Sequence, residues 1–461
     1  MFNSFAHQEE IFDRFKDAEY GAILAEPGLG KSRCAIQISE HKYRQGEITA
    51  VLLVTTKGLL LNWHQVELPI HSSEPYYSQV WDEKLAGIGT PLLTWYLINI
   101  DALRLDRFKP FMREFLKAHP KFALFVDEST VVKSPTAQRT KILHKVARRA
   151  ACRFIMTGTP VTQSPLDLWS QSEVLKENIL GYSNYYSFKT DHTIIINQFL
   201  GNRTYPKITG YKNLEPLLAT LKTFSAMYKA RDCLDLPPRR YRRIPVEMTD
   251  EQKKAYSELK KKALTWIEGH QITAVNAVSL INRLLQICAG QLKVNDLEYV
   301  SIPNNRLGVL QDLVDESNKV IVWTSFVRTA EEIMKTLNGA ALHLESGLSI
   351  ARRQKVIETF KTTEVKALVA NPASSGHGIT LIEANSVIYY SNSWSLEQRV
   401  QSEFRTDRIG QTQSVLYTDL YVPGSAEEYV LDLLTDKRGM AEKFMGAVLD
   451  DPAKLVREVL A

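Results

Sequence analysis

A chain of 461 residues, 44% hydrophobic and 24% charged, has an ordinary globular composition and enough length for two or three domain-sized cores. No apolar run approaches the roughly 18 residues a membrane span requires, and Met1-Phe2-Asn3-Ser4 lacks the basic-then-apolar layout of a secretory signal, so a soluble cytoplasmic protein is expected. The net charge of +5 is compatible with a polyanionic partner without selecting one, and four dispersed cysteines with no C-x-x-C pair suggest neither a disulfide framework nor a zinc site.

Taken in chain order, the first element is a helical run over 9–15, just behind Gln8. A short apolar strand over 22–25 then runs into Glu26-Pro27-Gly28-Leu29-Gly30-Lys31-Ser32 and a helical stretch through Tyr43, the strand-loop-helix setting of a phosphate-binding loop. Gly28 and Gly30 let backbone N–H groups approach phosphates, Lys31 neutralises their charge and the Ser32 hydroxyl suits Mg²⁺. Ala25 stands where the general pattern has its first glycine. Further strands are expected over 51–55, 92–98 and 122–126, the last ending in Asp127-Glu128, an acid pair suited to holding Mg²⁺ and polarising a water. The strand over 154–156 leads into Thr157-Gly158-Thr159-Pro160.

Residues of about 165–300 carry few strand signals, and 250–287 is rich in Glu, Lys, Gln, Ala and Leu at helical spacing, so helical insertions are expected there. Pro237-Pro238, flanked by Arg239, Arg240, Arg242 and Arg243, breaks helix and marks the crossing between two domains, 1–235 and 236–461, the second carrying its insertion at about 250–300. A second series of strands is expected over 320–323, 341–344, 365–370, 387–390 and 415–420. The rhythm of strand, turn and helix, met twice, predicts an α/β fold with two parallel-sheet lobes in one chain.

The three markers of the first half resemble helicase superfamily 2, and their wording resembles its Swi/Snf-type DNA translocases, as a minimal stand-alone core of bacterial or phage type. Glu26 to Ser32 is similar to that family's D-E-M-G-L-G-K-T, Asp127-Glu128-Ser129-Thr130 to its D-E-A-H box, and Thr157 to Pro160, with Leu166 and Trp169, to its T-G-T-P segment. In the second half, 321–326 resembles motif four and Gly376-His377-Gly378-Ile379-Thr380-Leu381 resembles G-G-x-G-x-N-L. The stretch Gln401 to Gln411 closely resembles Q-x-x-x-R-x-H-R-I-G-Q. Ser129-Thr130, Gln163, Thr380 and Asp407 depart from the family pattern.

The resemblance implies two RecA-like lobes with helical insertions, and ATP and Mg²⁺ as ligands. Lys31, Asp127, Glu128, Arg405 and Arg408 would be catalytic, the arginines as fingers from the second lobe. Gln8, Gly28, Gly30, Lys31, Ser32 and Gly378 would bind nucleotide, Gln8 at the adenine; Ser32 and Asp127 would hold Mg²⁺. Thr157, Thr159 and Gln411 would couple the two activities. Sequence-independent contacts to double-stranded DNA would fall to Thr56, Lys57, Trp63, Ser325, Ser374 and Ser375, although Trp63 and Trp394 are read equally well as helix-to-sheet packing. The expected activity is DNA-dependent ATP hydrolysis with translocation on duplex DNA, remodelling the DNA or displacing bound proteins, by a chain that works as a monomer. A strand-separating helicase, a non-hydrolysing DNA-binding scaffold and a restriction-complex motor remain as alternatives.

Overall fold

Runs of four to six consecutive apolar residues cannot sit on a half-wetted sheet; they belong in strands covered on both faces. In the computed structural model, which describes residues 4–81, 90–162, 164–200, 203–269, 274–293, 299–375 and 379–435, these runs form the centres of two parallel sheets. The chain divides into two compact units, Met1–Asp235 and Leu236–Ala461.

The first unit contains β1 (Tyr20–Ala25), β2 (Ala50–Thr55), β3 (Tyr76–Val80), β4 (Leu93–Asn99), β5 (Phe122–Asp127) and β6 (Cys152–Met156), then an antiparallel hairpin of β7 (Thr193–Leu200) and β8 (Arg203–Tyr211), and finally β9 (Ser225–Tyr228). The hairpin apart, they form one sheet in the order β3-β4-β2-β5-β6-β1-β9. Strands β2 and β5 are buried at every residue. The helix Phe108–Ala118 covers one face with Phe108, Phe111, Met112 and Phe115, the spacing of an amphipathic stripe. The order places β5 between β2 and β6, and β1 between β6 and β9, so the loops leaving β1, β2, β5 and β6 gather at the carboxyl edge, where open α/β sheets bind ligands.

In the second unit, β10 (Arg240–Pro245), β11 (Gln291–Lys293), β12 (Tyr299–Ser301), β13 (Val320–Trp323), β14 (Ala341–Leu344), β15 (Ala367–Ala370), β16 (Ser386–Tyr389) and β17 (Leu416–Tyr421) follow in turn. The parallel sheet runs β10-β17-β16-β13-β15-β14, with β11 and β12 paired separately. Helices Asp250–Gly269 and Ala274–Cys288 pack through Tyr256, Ile281, Leu284, Leu285 and Cys288.

The α/β fold with two parallel-sheet lobes is the one expected. Four features correct the reading of the sequence. Residues 165–300 are not purely helical: they hold the β7–β8 hairpin, β9, β10 and β11–β12. The arginine-rich segment after Pro238 is an edge strand, with β10 pairing from Arg240↔Leu416 to Pro245↔Tyr421. A polar strand, β3, extends the first sheet beside β4. The first helix is Ala6–Phe15, so Gln8 lies inside it rather than ahead of it. Among the described residues, no helix is long and apolar enough to cross a membrane.

Candidate functional site

The loop after β1 owes its shape to two left-handed glycines, Gly28 at φ 89° and Gly30 at φ 77°. Gly30 immediately precedes the helix Lys31–Arg44, turning the first N–H groups of that helix toward the loop. A side chain at Gly30 would meet Gln8, whose Nε2 would lie 2.3 Å from the added Cβ. The same Nε2 donates to the Leu29 carbonyl at 3.2 Å, and His7 Nε2 donates to that oxygen at 3.0 Å. Gln8 therefore reaches the glycine loop, although its own position is fixed by the helix turn in which Phe5 N donates to Gln8 Oε1 at 3.3 Å. Lys31 Nζ donates to the Ala25 carbonyl at 2.8 Å across the base of the loop. Ser32 is half-buried beside it.

At the end of β5, Asp127 is buried and its two oxygens each accept one hydrogen bond: Oδ2 from Trp63 Nε1 at 2.8 Å and Oδ1 from Glu128 N at 3.1 Å. Burial, reinforced by the Glu128 charge, pushes Asp127 up to about 7, while the Trp63 indole and the Lys31 charge pull it back. Glu128 itself sits at φ 54°, a left-handed backbone that a non-glycine residue adopts at a cost of order 1 kcal/mol or more. The cost is borne where the sheet places the next marker: β6 pairs with β5 through Asp127↔Met156, and Thr157 Oγ1 donates to Glu128 Oε2 at 3.4 Å. Thr159 N donates back to Thr157 Oγ1 at 3.2 Å. A Cβ on Gly158 would lie 2.6 Å from Pro27 Cδ, so this turn packs directly on the glycine loop. The three markers, distant in sequence, are thus neighbours.

Ser129, one of the departures, donates from Oγ to Gln171 Oε1 at 2.7 Å, and Gln171 Nε2 donates to the Pro160 carbonyl at 2.7 Å. The hydroxyl ties the acidic loop to the Thr157–Pro160 turn, a role for Gln171 that no motif announces. Trp63 is 1% exposed, stacked on Trp95 at 6.0 Å, which removes it from the group able to touch DNA. Thr56 is half-buried and Lys57 exposed at the end of β2.

In the second unit the arginine segment follows the helix Leu396–Glu403. Arg405 is 7% exposed and donates from Nη1 to the Ile379 carbonyl at 3.4 Å. Arg408 Nη1 donates to Thr380 Oγ1 at 2.9 Å, so the threonine at this departure supplies an acceptor to the second arginine. Gln411 Nε2 donates to the carbonyls of Ile382 at 3.1 Å and Thr406 at 3.3 Å, and Gln411 Oε1 accepts from Gln413 N at 2.9 Å. Its visible work is to staple the loop that follows the arginines.

Asp407, another departure, is paired with Arg239, whose guanidinium also lies 3.6 Å from Glu403 and 4.8 Å from the Phe404 ring centroid. Ser325 is half-buried, its N–H donating to Ser391 Oγ at 2.9 Å. Trp394 packs in the helical cluster and donates to Asn282 Oδ1 at 3.1 Å, the packing role. Ser374 and Ser375 end a short helix, Pro372–Ser375, but their side chains, like Gln163 and Gly378, lie outside the described residues.

The chain is similar to known proteins over most of its length. The chain is 26% identical over 448 residues to an uncharacterized ATP-dependent helicase of Mycoplasma genitalium, covering 93% of this chain and 40% of that protein. It is 23% identical over 473 residues to protein p41 of Acyrthosiphon pisum secondary endosymbiont phage 1, covering 96% of this chain and 98% of that one. A solved Sulfolobus solfataricus SWI2/SNF2 ATPase core in complex with dsDNA is similar at 23% identity and a TM-score of 0.44, covering 99% of this chain and 95% of that one. The chain spans about two fifths of the length of the Mycoplasma relative. The helicase conserved C-terminal domain matches residues 305–410, and the SNF2-related domain matches 11–292. That last match takes in the glycine loop, the acid pair and the Thr157 turn and extends over more than half of the sequence, and by it the chain belongs to the SNF2-related family.

Proposed function

We propose that the chain hydrolyses ATP and uses the energy to move along double-stranded DNA without reading its sequence. The observation that carries the hydrolytic part is the acid pair at the end of β5, Asp127 buried and Glu128 half-buried in a strained backbone with its carboxylate tied to Thr157, beside a glycine loop followed by Lys31. The residues present fit nucleotide and metal: left-handed Gly28 and Gly30 give the loop a tight backbone with no side chain of its own at either position, and Asp127 and Ser32 are oxygen donors of the hard kind Mg²⁺ prefers. Bound there, Mg²⁺ would neutralise phosphate charge.

In this reading Gln8 contacts the adenine, Gly28, Gly30 and Lys31 hold the phosphates, and Ser32 and Asp127 hold the metal. Glu128 takes the proton of the attacking water, and Thr157 keeps its carboxylate aimed. Arg405 and Arg408 stabilise charge in the transition state, Gly378 completes the nucleotide contacts, and Thr159 and Gln411 support coupling. Thr56, Lys57, Ser325, Ser374 and Ser375 touch the DNA backbone.

Steady-state ATP hydrolysis with no nucleic acid, duplex DNA, single-stranded DNA and RNA tests the proposal. The expected result is strong stimulation by duplex, independent of its sequence and weakened by salt. Greater stimulation by a single strand moves the reading to a strand-separating helicase, for which the antiparallel β7–β8 hairpin, with Ile194, Ile195 and Ile196 exposed, is the candidate separating element.

A further inference from the structure

A buried tryptophan needs an acceptor for its one N–H, and main-chain carbonyls are the common solution. Trp63 instead donates to Oδ2 of Asp127, at 2.8 Å, with both residues buried. The carboxylate is held at its other oxygen by Glu128 N at 3.1 Å, so two donors from different elements fix its plane and leave each oxygen one lone pair.

The element that delivers the indole is unusual. Trp63–Glu67 is a single π-turn between the helices Lys57–Asn62 and Leu68–His71, and such turns are rare and concentrated at functional sites. The turn is braced by Asn62 Nδ2 donating to Glu67 Oε1 at 3.0 Å and by the Trp63–Trp95 stack at 6.0 Å. The segment departs from β2, whose Val54 pairs with Val126 directly before Asp127. Packing alone does not require this bond, because Trp95, the neighbouring ring, is buried with its own N–H unpartnered.

We propose that Trp63 is a positioning residue for metal binding: its indole N–H orients the Asp127 carboxylate and makes the 57–71 segment, which follows Thr56 directly and begins at Lys57, part of the support for the Mg²⁺ site. The proposal rests on the reading of Asp127 as a metal ligand. Outer-shell donors of this kind typically change metal affinity 10–100-fold when removed.

The test measures binding of a fluorescent ADP analogue, with Mg²⁺ titrated, to the full chain and to W63F, W95F and D127N. In W63F, metal-free nucleotide affinity should match the native chain while the Mg²⁺ needed for half the affinity gain rises about tenfold. W95F disturbs the same stack but not the bond, and should titrate as native. Native Mg²⁺ dependence in W63F, or an equal loss in W95F, overturns the proposal. D127N separates the two layers: if it keeps the native Mg²⁺ response, the ligand reading fails and the proposal falls with it, whereas a D127N loss beside a native W63F sinks the proposal alone. Should W63F not fold, ¹⁵N-indole spectra of the native chain, which has seven tryptophans, decide. One indole N–H should shift when Mg²⁺ is added to the ADP complex and stay still in D127N, and no shift at all refutes the link.

Discussion

Asp127 illustrates how a residue can serve a site at the expense of the fold. Its carboxyl is pushed up to about 7 by burial and by Glu128, from an ordinary value of 3.8, so the folded chain prefers the proton. A folded-state value above the unfolded one means that stability is fully present below the ordinary value of 3.8 and is lost progressively as pH rises from there through about 7. Without metal, Asp127→Asn should cost stability at low pH, because its amide N–H₂ faces one of the two donors to the native carboxyl, and it should regain roughly 1–3 kcal/mol relative to native by pH 8, where only the native chain holds a buried carboxylate. Denaturant melts at pH 5 and pH 8 check this, and a difference between variant and native that does not change with pH would refute the burial argument. Glu128 carries a different load. Thr157→Val removes the hydroxyl that donates to Glu128 Oε2 and leaves the volume nearly unchanged. The expected outcome is nucleotide affinity within about threefold of native and a turnover lowered on the order of 10-fold to 100-fold, read by steady-state kinetics beside equilibrium binding, because the hydroxyl positions a base rather than holding a ligand.

At the scale of elements, local chemistry explains which parts of the fold could be read from sequence. Strands β1, β2 and β5 are apolar runs, β1 followed by Glu26 and the glycine loop and β5 closing on Asp127, and they announce their burial and, for β1 and β5, their loops. Strand β9 is only Ser-Ala-Met-Tyr and exists because it pairs with β1 from Ala22↔Ser225 to Ala25↔Tyr228, a partner some two hundred residues earlier in the chain. Strand β10 reads as a charged crossing because it is an edge, exposed along most of its length, where charge is tolerated and protects against further pairing. The same segment gives Asp407 its meaning. A lone acid among arginines looks like a departure, but Arg239, just ahead of β10, lies against Asp407, Glu403 and the Phe404 ring and so anchors the turn that carries Arg405 and Arg408. Asp407 is 1% exposed, so Arg239→Ala should cost about 3 kcal/mol or more by stranding a buried charge. Arg239→Met combined with Asp407→Leu should recover most of that loss. A double-mutant cycle by chemical denaturation measures it, and additive losses would show that the pair is not coupled.

For the whole molecule, the question is whether groups in both units serve one reaction. The first unit holds the glycine loop and the acid pair proposed to bind nucleotide; the second holds Arg405 and Arg408, each already engaged with the backbone or hydroxyl of the 379–380 segment. An arginine that stabilises redistributed phosphate charge acts on the transition state and contributes little to ground-state binding. Arg408→Ala in the full chain should accordingly leave ATP affinity within about threefold of native while turnover falls on the order of 10³-fold. Lysine cannot reproduce the planar set of guanidinium donors, so Arg408→Lys should recover only a small part of the rate although it keeps the charge. Duplex DNA should neither rescue the variants nor lose its affinity for them, because backbone contacts are assigned to other residues. Equilibrium nucleotide binding, DNA binding and single-turnover hydrolysis, measured on the same preparations, separate the cases. A variant that loses ATP affinity while turning over bound ATP normally would place Arg408 in the binding site, and hydrolysis would then need no transition-state group from the second unit.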